Sequence, residues 1–429
     1  MVKFITLGSF DYRYKYMIFY IIIMLPLEYF LGEIFPDDVK IKYLRFEYFP
    51  KDIFVYEFFK YFGIFIFGLI VKKIEIESFF KAKKDSNIEK IESLHDMKLI
   101  YKNQRPTFSL IGIILLICFY TINLKLLDFF YIFYFSGIDF WTIEIVFIVA
   151  INIMIFKIPI YIHKKIAIII ILFFSSLMKI ISIIFIYKSD EKRLYKEYGW
   201  LFPIGFFSFI LFFFVDAYAL CKMKWYFNLK FISEKVTLIS FGFFGIFLYF
   251  LCSIISHSFE CKSSEFASYI CIVYKDEQSP KYVDNFNIFF KNIWKENRES
   301  YINFIYAFLL LLKIFLSAFR YLFSFLIIKE LGPEYLVCSD SILYFITKII
   351  SFIYYLATNK LKEYFTFDLL AQFFSLLGTI IYLELIELNF CGLSYNTKKN
   401  INFRAGYDCT NINNEDIYSI TSDGISYLD

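Results

Sequence analysis

Several apolar runs in this chain reach the length that a lipid bilayer demands, and no other feature constrains the fold as tightly. A hydrocarbon layer about 30 Å thick is crossed by roughly 20 residues of α-helix. Spans of that kind fall near 15–32, 53–71, 107–124, 138–156, 166–187, 201–220, 236–256, 303–328, 338–357 and 368–388. Residues 125–140 fit either an interfacial helix or an extension of the third span. Inside lipid no water satisfies an exposed peptide group, so the segments are expected to be helical. The fold class expected is therefore an all-α polytopic membrane protein with about ten transmembrane helices.

Composition agrees with length. The chain is 59% hydrophobic, against about 45–50% in ordinary globular domains. Its 60 phenylalanines and 36 tyrosines accompany only four tryptophans. They read as filler for lipid-facing helices, not as platforms for stacking bases. A net charge of +4 is too small to attract nucleic acid, so none is expected as a partner. Eight cysteines and three histidines are scattered without metal-ligand spacing, so neither a metal nor another cofactor is expected. The charged start through Lys15 leads into the first apolar run without a small-residue cleavage site, and reads as a retained span.

Lysine and arginine placement sets the orientation. Residues 72–106 carry Lys72, Lys73, Lys81, Lys83, Lys84, Lys90, Lys98, Lys102 and Arg105, and shorter basic loops recur at Lys157–Lys165 and Lys222–Lys235. These three segments share one face when both termini are cytosolic. The loop 257–302 then lies outside, where Cys261 and Cys271 could form a disulfide in an oxidising lumen or remain two thiols. From 389 to 429 the chain is polar and reads as a disordered cytosolic tail.

Ten spans divide into five and five, as an N-terminal half 1–187 and a C-terminal half 188–388. An odd number per half makes the second copy enter from the opposite side, which gives an inverted repeat. The hairpin at 138–187 has a counterpart in layout at 338–388, each with a short lysine-bearing loop. Together with the closing LGTIIYLELIELNFCGLSYNTKKNI, this layout resembles the drug/metabolite transporter superfamily, near its nucleotide-sugar (solute carrier 35-like) branch. The chain departs from that branch in its few glycines and prolines (15 and 8) and in its long outer loop. The resemblance implies a carrier in an endomembrane, Golgi or endoplasmic reticulum, or in the plasma membrane. A homodimer is left open, and the lack of catalytic motifs leads us to expect that the protein is not an enzyme.

Ionisable groups within a bilayer are costly and mark function. Asp216, Glu387, Lys60, Glu144 and Asp340 lie near predicted span ends, where side chains can snorkel to the headgroups. Lys179, Lys313 and Lys348 sit near the middle of spans five, eight and nine, about 13–15 Å from either end. Each is on a polar stripe of helical spacing, with Ser175, Ser176 and Ser182, with Ser317 and Arg320, and with Asp340, Tyr344 and Ser351. Asn152, Gln372, Ser375 and Thr379 add uncharged polar groups. If these stripes converge they line a positive cavity suited to an anionic solute, a nucleotide sugar or another phosphorylated or carboxylated metabolite. The expected substrate-binding set is Lys179, Lys313, Lys348, Asn152, Arg320 and Gln372.

Two other classes stay open. FPDD at 35–38 resembles the acidic pair of membrane glycosyltransferases that use lipid-linked sugars, for which Asp37 and Asp38 would be indispensable. A scramblase, receptor or assembly factor would need no central polar cavity. His257 has no polar companion, and no phosphate-binding loop, HExxH or GxSxG is present.

Overall fold

The structure is a computed structural model that describes residues 5–7, 12–29, 54–85, 108–129, 141–156, 160–188, 201–229, 232–257, 286–294, 300–357, 363–388, 397 and 400. Ten long helices account for nearly all of these: α1 (Lys15–Tyr29), α2 (Phe54–Asp85), α3 (Phe108–Phe129), α4 (Trp141–Met154), α5 (Ile162–Lys188), α6 (Leu201–Leu229), α7 (Glu234–His257), α8 (Ser300–Glu330), α9 (Pro333–Ala357) and α10 (Glu363–Tyr382). A short helix, Phe286–Ile293, lies in the expected outer loop.

Each expected span overlaps one helix. Among the described residues four helices are long and apolar enough to cross a membrane: α2 over Phe54–Glu75, α7 over Glu234–Ile255, α8 over Asn303–Glu330 and α9 over Pro333–Ala357. Shorter apolar stretches lie in α3, α4 and α10. Length and composition thus make the chain a helical, integral-membrane type of protein. Exposure agrees: Phe243, Phe247, Leu251 and Ile254 form an exposed apolar stripe on α7, while Leu238, Phe241 and Tyr249 face inward.

Several ends differ from the hydropathy reading, among them that of α6, which runs past 220 to Leu229, and that of α3, which runs past 124 to Phe129. α2 continues past residue 71 to Asp85, carrying the first lysines of the basic segment on helix. α10 stops at Tyr382 and not at 388. Its last turn closes with Glu384 N–H donating to the Ile381 carbonyl at 3.0 Å and Leu385 N–H to that of Ile380 at 3.1 Å. Glu384 takes a φ of 58°, the left-handed position usually given to glycine at a helix end. The strand β2 (Ile386–Leu388) follows and pairs antiparallel with β1 (Ile5–Leu7), Ile5 opposite Leu388 and Leu7 opposite Ile386. The disulfide Cys261–Cys271 and the acidic pair Asp37–Asp38 lie outside the described residues. So does the tail 389–429, except for Thr397, which is buried, and Asn400.

The helices gather into two compact units. One contains α1 from Tyr16 onward, α2, α3, α6, α7, the short helix and α8; the other contains α4, α5, α9 from Val337 onward, α10 and the two strands. Both draw on segments before and after residue 188, so contacts group the helices differently from the sequential division into 1–187 and 188–388.

In the six-helix unit α2 packs most closely on α7, the two running antiparallel. Glycine sets the distance. A Cβ on Gly242 would stand 2.6 Å from the Phe65 backbone nitrogen, and one on Gly245 would stand 2.0 Å from the Tyr61 ring. Farther along, a Cβ on Gly68 would come 2.9 Å from the Ile239 side chain. Small residues let helix backbones approach in lipid, where burial against lipid-like neighbours offers little drive. The core behind this seam includes Ile64, Leu110, Ile114, Met223 and Phe241, all essentially inaccessible.

In the four-helix unit α5 and α10 form a similar antiparallel seam. A Cβ on Gly378 would stand 2.8 Å from the Ile171 side chain and 3.1 Å from the Ala167 carbonyl oxygen. Phe174 stacks on Phe374 at 4.5 Å between centroids, and Ser341 of α9 hydrogen-bonds to Thr379 of α10 at 3.1 Å.

Gly242→Ala is expected to destabilise the protein by about 1–3 kcal/mol, because the methyl group meets backbone that cannot rotate away. Gly112→Ala is the control, since a Cβ there meets nothing within 4 Å. Thermal unfolding of the detergent-solubilised protein reads both: a fall in Tm for Gly242→Ala and none for Gly112→Ala.

Candidate functional site

The first two turns of α2 bring an acid and a base together. Glu57 and Lys60, one helical turn apart, form an ion pair whose side chains are 3% and 13% exposed. Spacing of three residues puts them on one face. Lys60 was expected to snorkel from a span end; its position inside the helix packing, held by Glu57, corrects that reading. Glu144 and Asp216, assigned the same fate, are also buried.

Aromatic rings enclose the pair. The Lys60 ammonium lies 5.3 Å from the Tyr61 ring centroid and 5.9 Å from that of Tyr321 on α8, both within cation–π range. Tyr61 stacks on Tyr249 of α7 at 5.0 Å and meets Phe241 at 5.1 Å. The Tyr249 hydroxyl is fixed by a 2.9 Å hydrogen bond with Thr121 of α3. Tyr61 is fully buried, yet its hydroxyl has no hydrogen-bond partner among the described residues. Such a group costs free energy unless something satisfies it.

Two of the expected binding residues join this cluster. The Lys313 ammonium sits over the Tyr56 ring at 4.8 Å. Tyr56 also shares a hydrogen bond with Ser317, whose hydroxyl donates to the Lys313 carbonyl at 2.7 Å. Arg320 lies 5.9 Å over the neighbouring Tyr321 ring and acts electrostatically on both Tyr56 and Lys60. Glu57 in turn acts on Tyr56, Tyr61, Tyr249 and Cys118, so its charge reaches side chains of α2, α7 and α3. The cluster therefore sets one carboxylate among three cations, walled by four tyrosines.

Ile314, next to Lys313, packs on Gly63 near the middle of the apolar stretch of α2. Tyr56, which Lys313 touches, belongs to the first turn of α2. Beside it the short helix inserts Phe289 against Val55 and Leu310. At the opposite end of the apolar part of α2 stands an ionic network. Lys235 pairs with Glu75 at 2.6 Å, Lys329 pairs with Glu234 at 2.7 Å, and the Lys224 ammonium donates to the Lys329 carbonyl at 2.6 Å.

The remaining expected residues belong to the four-helix unit. Gln372 is buried on α10, Asn152 is half-buried on α4, and the Lys348 ammonium lies 4.9 Å over the Tyr344 ring one turn earlier on α9. Lys179 lies on α5, and its side chain is outside the described set. That unit has its own polar pair: His163 Nε2 meets Glu384 Oε1 at 2.9 Å, and the buried Nδ1 has no hydrogen-bond partner among the described residues. Glu384 thus supplies, besides a helix end, the partner of a buried imidazole.

Glu57 escaped the sequence reading, which weighed each charge by its depth. The signal was present as an acid and a base at a spacing of three residues within an apolar run bearing Tyr56 and Tyr61.

Breaking a buried ion pair from one side leaves a charge behind, which costs about 3–5 kcal/mol, whereas replacing both partners costs far less. Lys60→Met is therefore expected to lower stability strongly, and Glu57→Gln/Lys60→Met to recover most of the loss. Denaturation midpoints of the two variants measure this, and equal losses would show that the pair is not coupled. No protein-family model matches the sequence, nor does any curated protein, so the functional reading rests on geometry.

Proposed function

We propose that the protein is a secondary carrier that moves a small anionic solute across a membrane by alternating access. The single observation that carries this reading is the cluster of Lys60, Lys313 and Arg320 around Glu57, held among helices apolar enough to cross a bilayer. Cations within a bilayer are expensive, and a half-buried cluster of three presents favourable partners to a ligand of opposite charge. Arginine offers a planar fork to phosphate or carboxylate, and lysine a movable point charge. The solute class favoured is a nucleotide sugar or a related phosphorylated metabolite. Phosphates would meet the cations, and an apolar ring would meet the tyrosine wall. The protein's task on this reading is transport, with no covalent chemistry.

Two inverted five-helix repeats are part of the proposal. Exchanging α1–α5 for α6–α10 in order carries each compact unit onto itself: α1, α2 and α3 onto α6, α7 and α8, and α4 and α5 onto α9 and α10. The pairs that such an exchange leaves in place, α2 with α7 and α5 with α10, are also the two closest packings. Both cross antiparallel, as copies of opposite orientation must. The proposal keeps both termini in the cytosol, with residues 72–106 on that side. It assigns the protein to an endomembrane or the plasma membrane, near the nucleotide-sugar branch of the drug/metabolite transporters.

Thermal-shift screening of the purified protein against nucleotide sugars, nucleotides, sugar phosphates and organic anions is expected to single out one class by a raised Tm, since a ligand of the folded state stabilises it. With that class in proteoliposomes, alanine at Lys313 or Arg320, or the paired change Glu57→Gln/Lys60→Met, should lower uptake at least about tenfold, equivalent to ~1.4 kcal/mol, with folded protein retained. Lys179→Ala and Lys348→Ala test the stripes of the other unit, and unchanged uptake in both removes them from the pathway. Full uptake by all three cluster variants would refute the carrier site itself.

A further inference from the structure

The cluster contains one group that an anion site does not need. A carboxylate among three cations competes with any anionic solute for the same charges, and burial makes its presence there costly. Glu57 pairs with Lys60, and charged and titratable side chains among the described residues act on this pair and its surroundings. They include Tyr56 and Tyr61 on α2, Lys313, Arg320 and Tyr321 on α8, Tyr249 on α7 and Cys118 on α3. The short helix faces this end of α2 with Phe286 and Phe289. Beside the pair, the Tyr61 hydroxyl is buried without a hydrogen-bond partner among the described residues.

We propose that Glu57 couples solute binding to a proton: an incoming anion takes Lys60 from Glu57, and the released carboxylate binds one proton, so that solute and proton are carried together. The proposal rests on the reading of this cluster as an anion site and adds the coupling ion to it. The charge balance follows from the geometry. With Glu57 ionised, the carboxylate and the anion would share the same cations at close range, and repulsion in a water-poor interior is strong. With Glu57 protonated, Lys60 is released entirely to the anion. The protonated carboxyl becomes a donor, and the buried Tyr61 hydroxyl, on the ring over which Lys60 lies, is a candidate acceptor. One proton enters for each anion, and the charge brought into the bundle is one unit less negative than it would be for the anion alone.

The test uses the full-length purified protein and two probes whose own charge is constant near neutral pH, uridine diphosphate glucose and sulfate. Isothermal titration calorimetry in buffers of different ionisation enthalpy counts protons directly. In the wild type, binding is expected to take up about one proton per anion, and affinity to rise about tenfold for each unit by which pH falls while Glu57 is ionised in the free protein. In Glu57→Gln the same titrations should show no proton uptake and a flat pH dependence, at an affinity no weaker than the wild type's best. Should the glutamine variant fail to fold, Glu57→Asp keeps the carboxyl and should move the pH midpoint; an unmoved midpoint overturns the assignment. Binding of either probe by the wild type with no proton uptake also overturns it and leaves the anion site standing. Failure of both probes to bind at any pH brings down the anion site and the coupling with it. Proton uptake that persists in Glu57→Gln assigns the coupling to another group and overturns the proposal.

Discussion

Two helices in lipid gain little by burying apolar side chains against each other, because the acyl chains displaced are as apolar as the neighbour met. What holds α2 to α7 is density of contact, and Gly68, Gly242 and Gly245 set it by letting one backbone reach the other. The consequences run outward from that seam. Tyr61 lies flat over Gly245, in the space a side chain would fill, and from there its ring can stack on Tyr249 and meet Phe241. A wider spacing would break this aromatic layer, and with it the wall against which Lys60 rests.

That wall makes a charged cluster tolerable in an apolar bundle. An isolated lysine at depth would be driven toward the headgroups. Lys60 stays because Glu57 supplies the opposite charge one turn away and the faces of Tyr61 and Tyr321 supply electron density. Lys313 uses the same device with Tyr56 on the neighbouring helix, and Lys348 with Tyr344 on its own. The abundance of tyrosine, read from composition as lipid-facing filler, therefore has a second use: several of these rings solvate ammonium groups where water is scarce.

Hydropathy located ten helices among the described residues, four of them long and apolar enough to cross a membrane, because an apolar run is a local signal. It misjudged their ends where other forces act. Charged residues beyond Val71 extend α2 as readily as apolar ones, since lysine and glutamate are good helix formers. After Tyr382 the chain leaves the helix through the left-handed turn at Glu384, and β2 then pairs with β1, more than 370 positions away in sequence. The grouping of helices was illegible for the same reason: nothing local in α2 names α7 as its neighbour. Of the expected site, Lys313 and Arg320 were legible from depth and spacing, and they fall in one cluster with Lys60. Glu57 was not, because a carboxylate near a span end looks like a solvated one until its partner across one helical turn is considered.

The six-helix unit carries charge at both ends of a largely apolar seam, and α2 reaches both. Glu57 stands in its first turn, and Glu75, paired with Lys235, closes its apolar stretch. Eighteen residues at ~1.5 Å each separate them by about 27 Å, close to the thickness of the hydrocarbon layer. Between them α2 meets α7 through glycines, with the Tyr61 ring seated at Gly245 and the Ile239 side chain at Gly68. Lys329 of α8 pairs with Glu234 of α7, and α8 carries Lys313 and Arg320 back toward the first end. On the proposed carrier reading, α2 and α8 are the two helices that join the anion site to the ionic network at the far end.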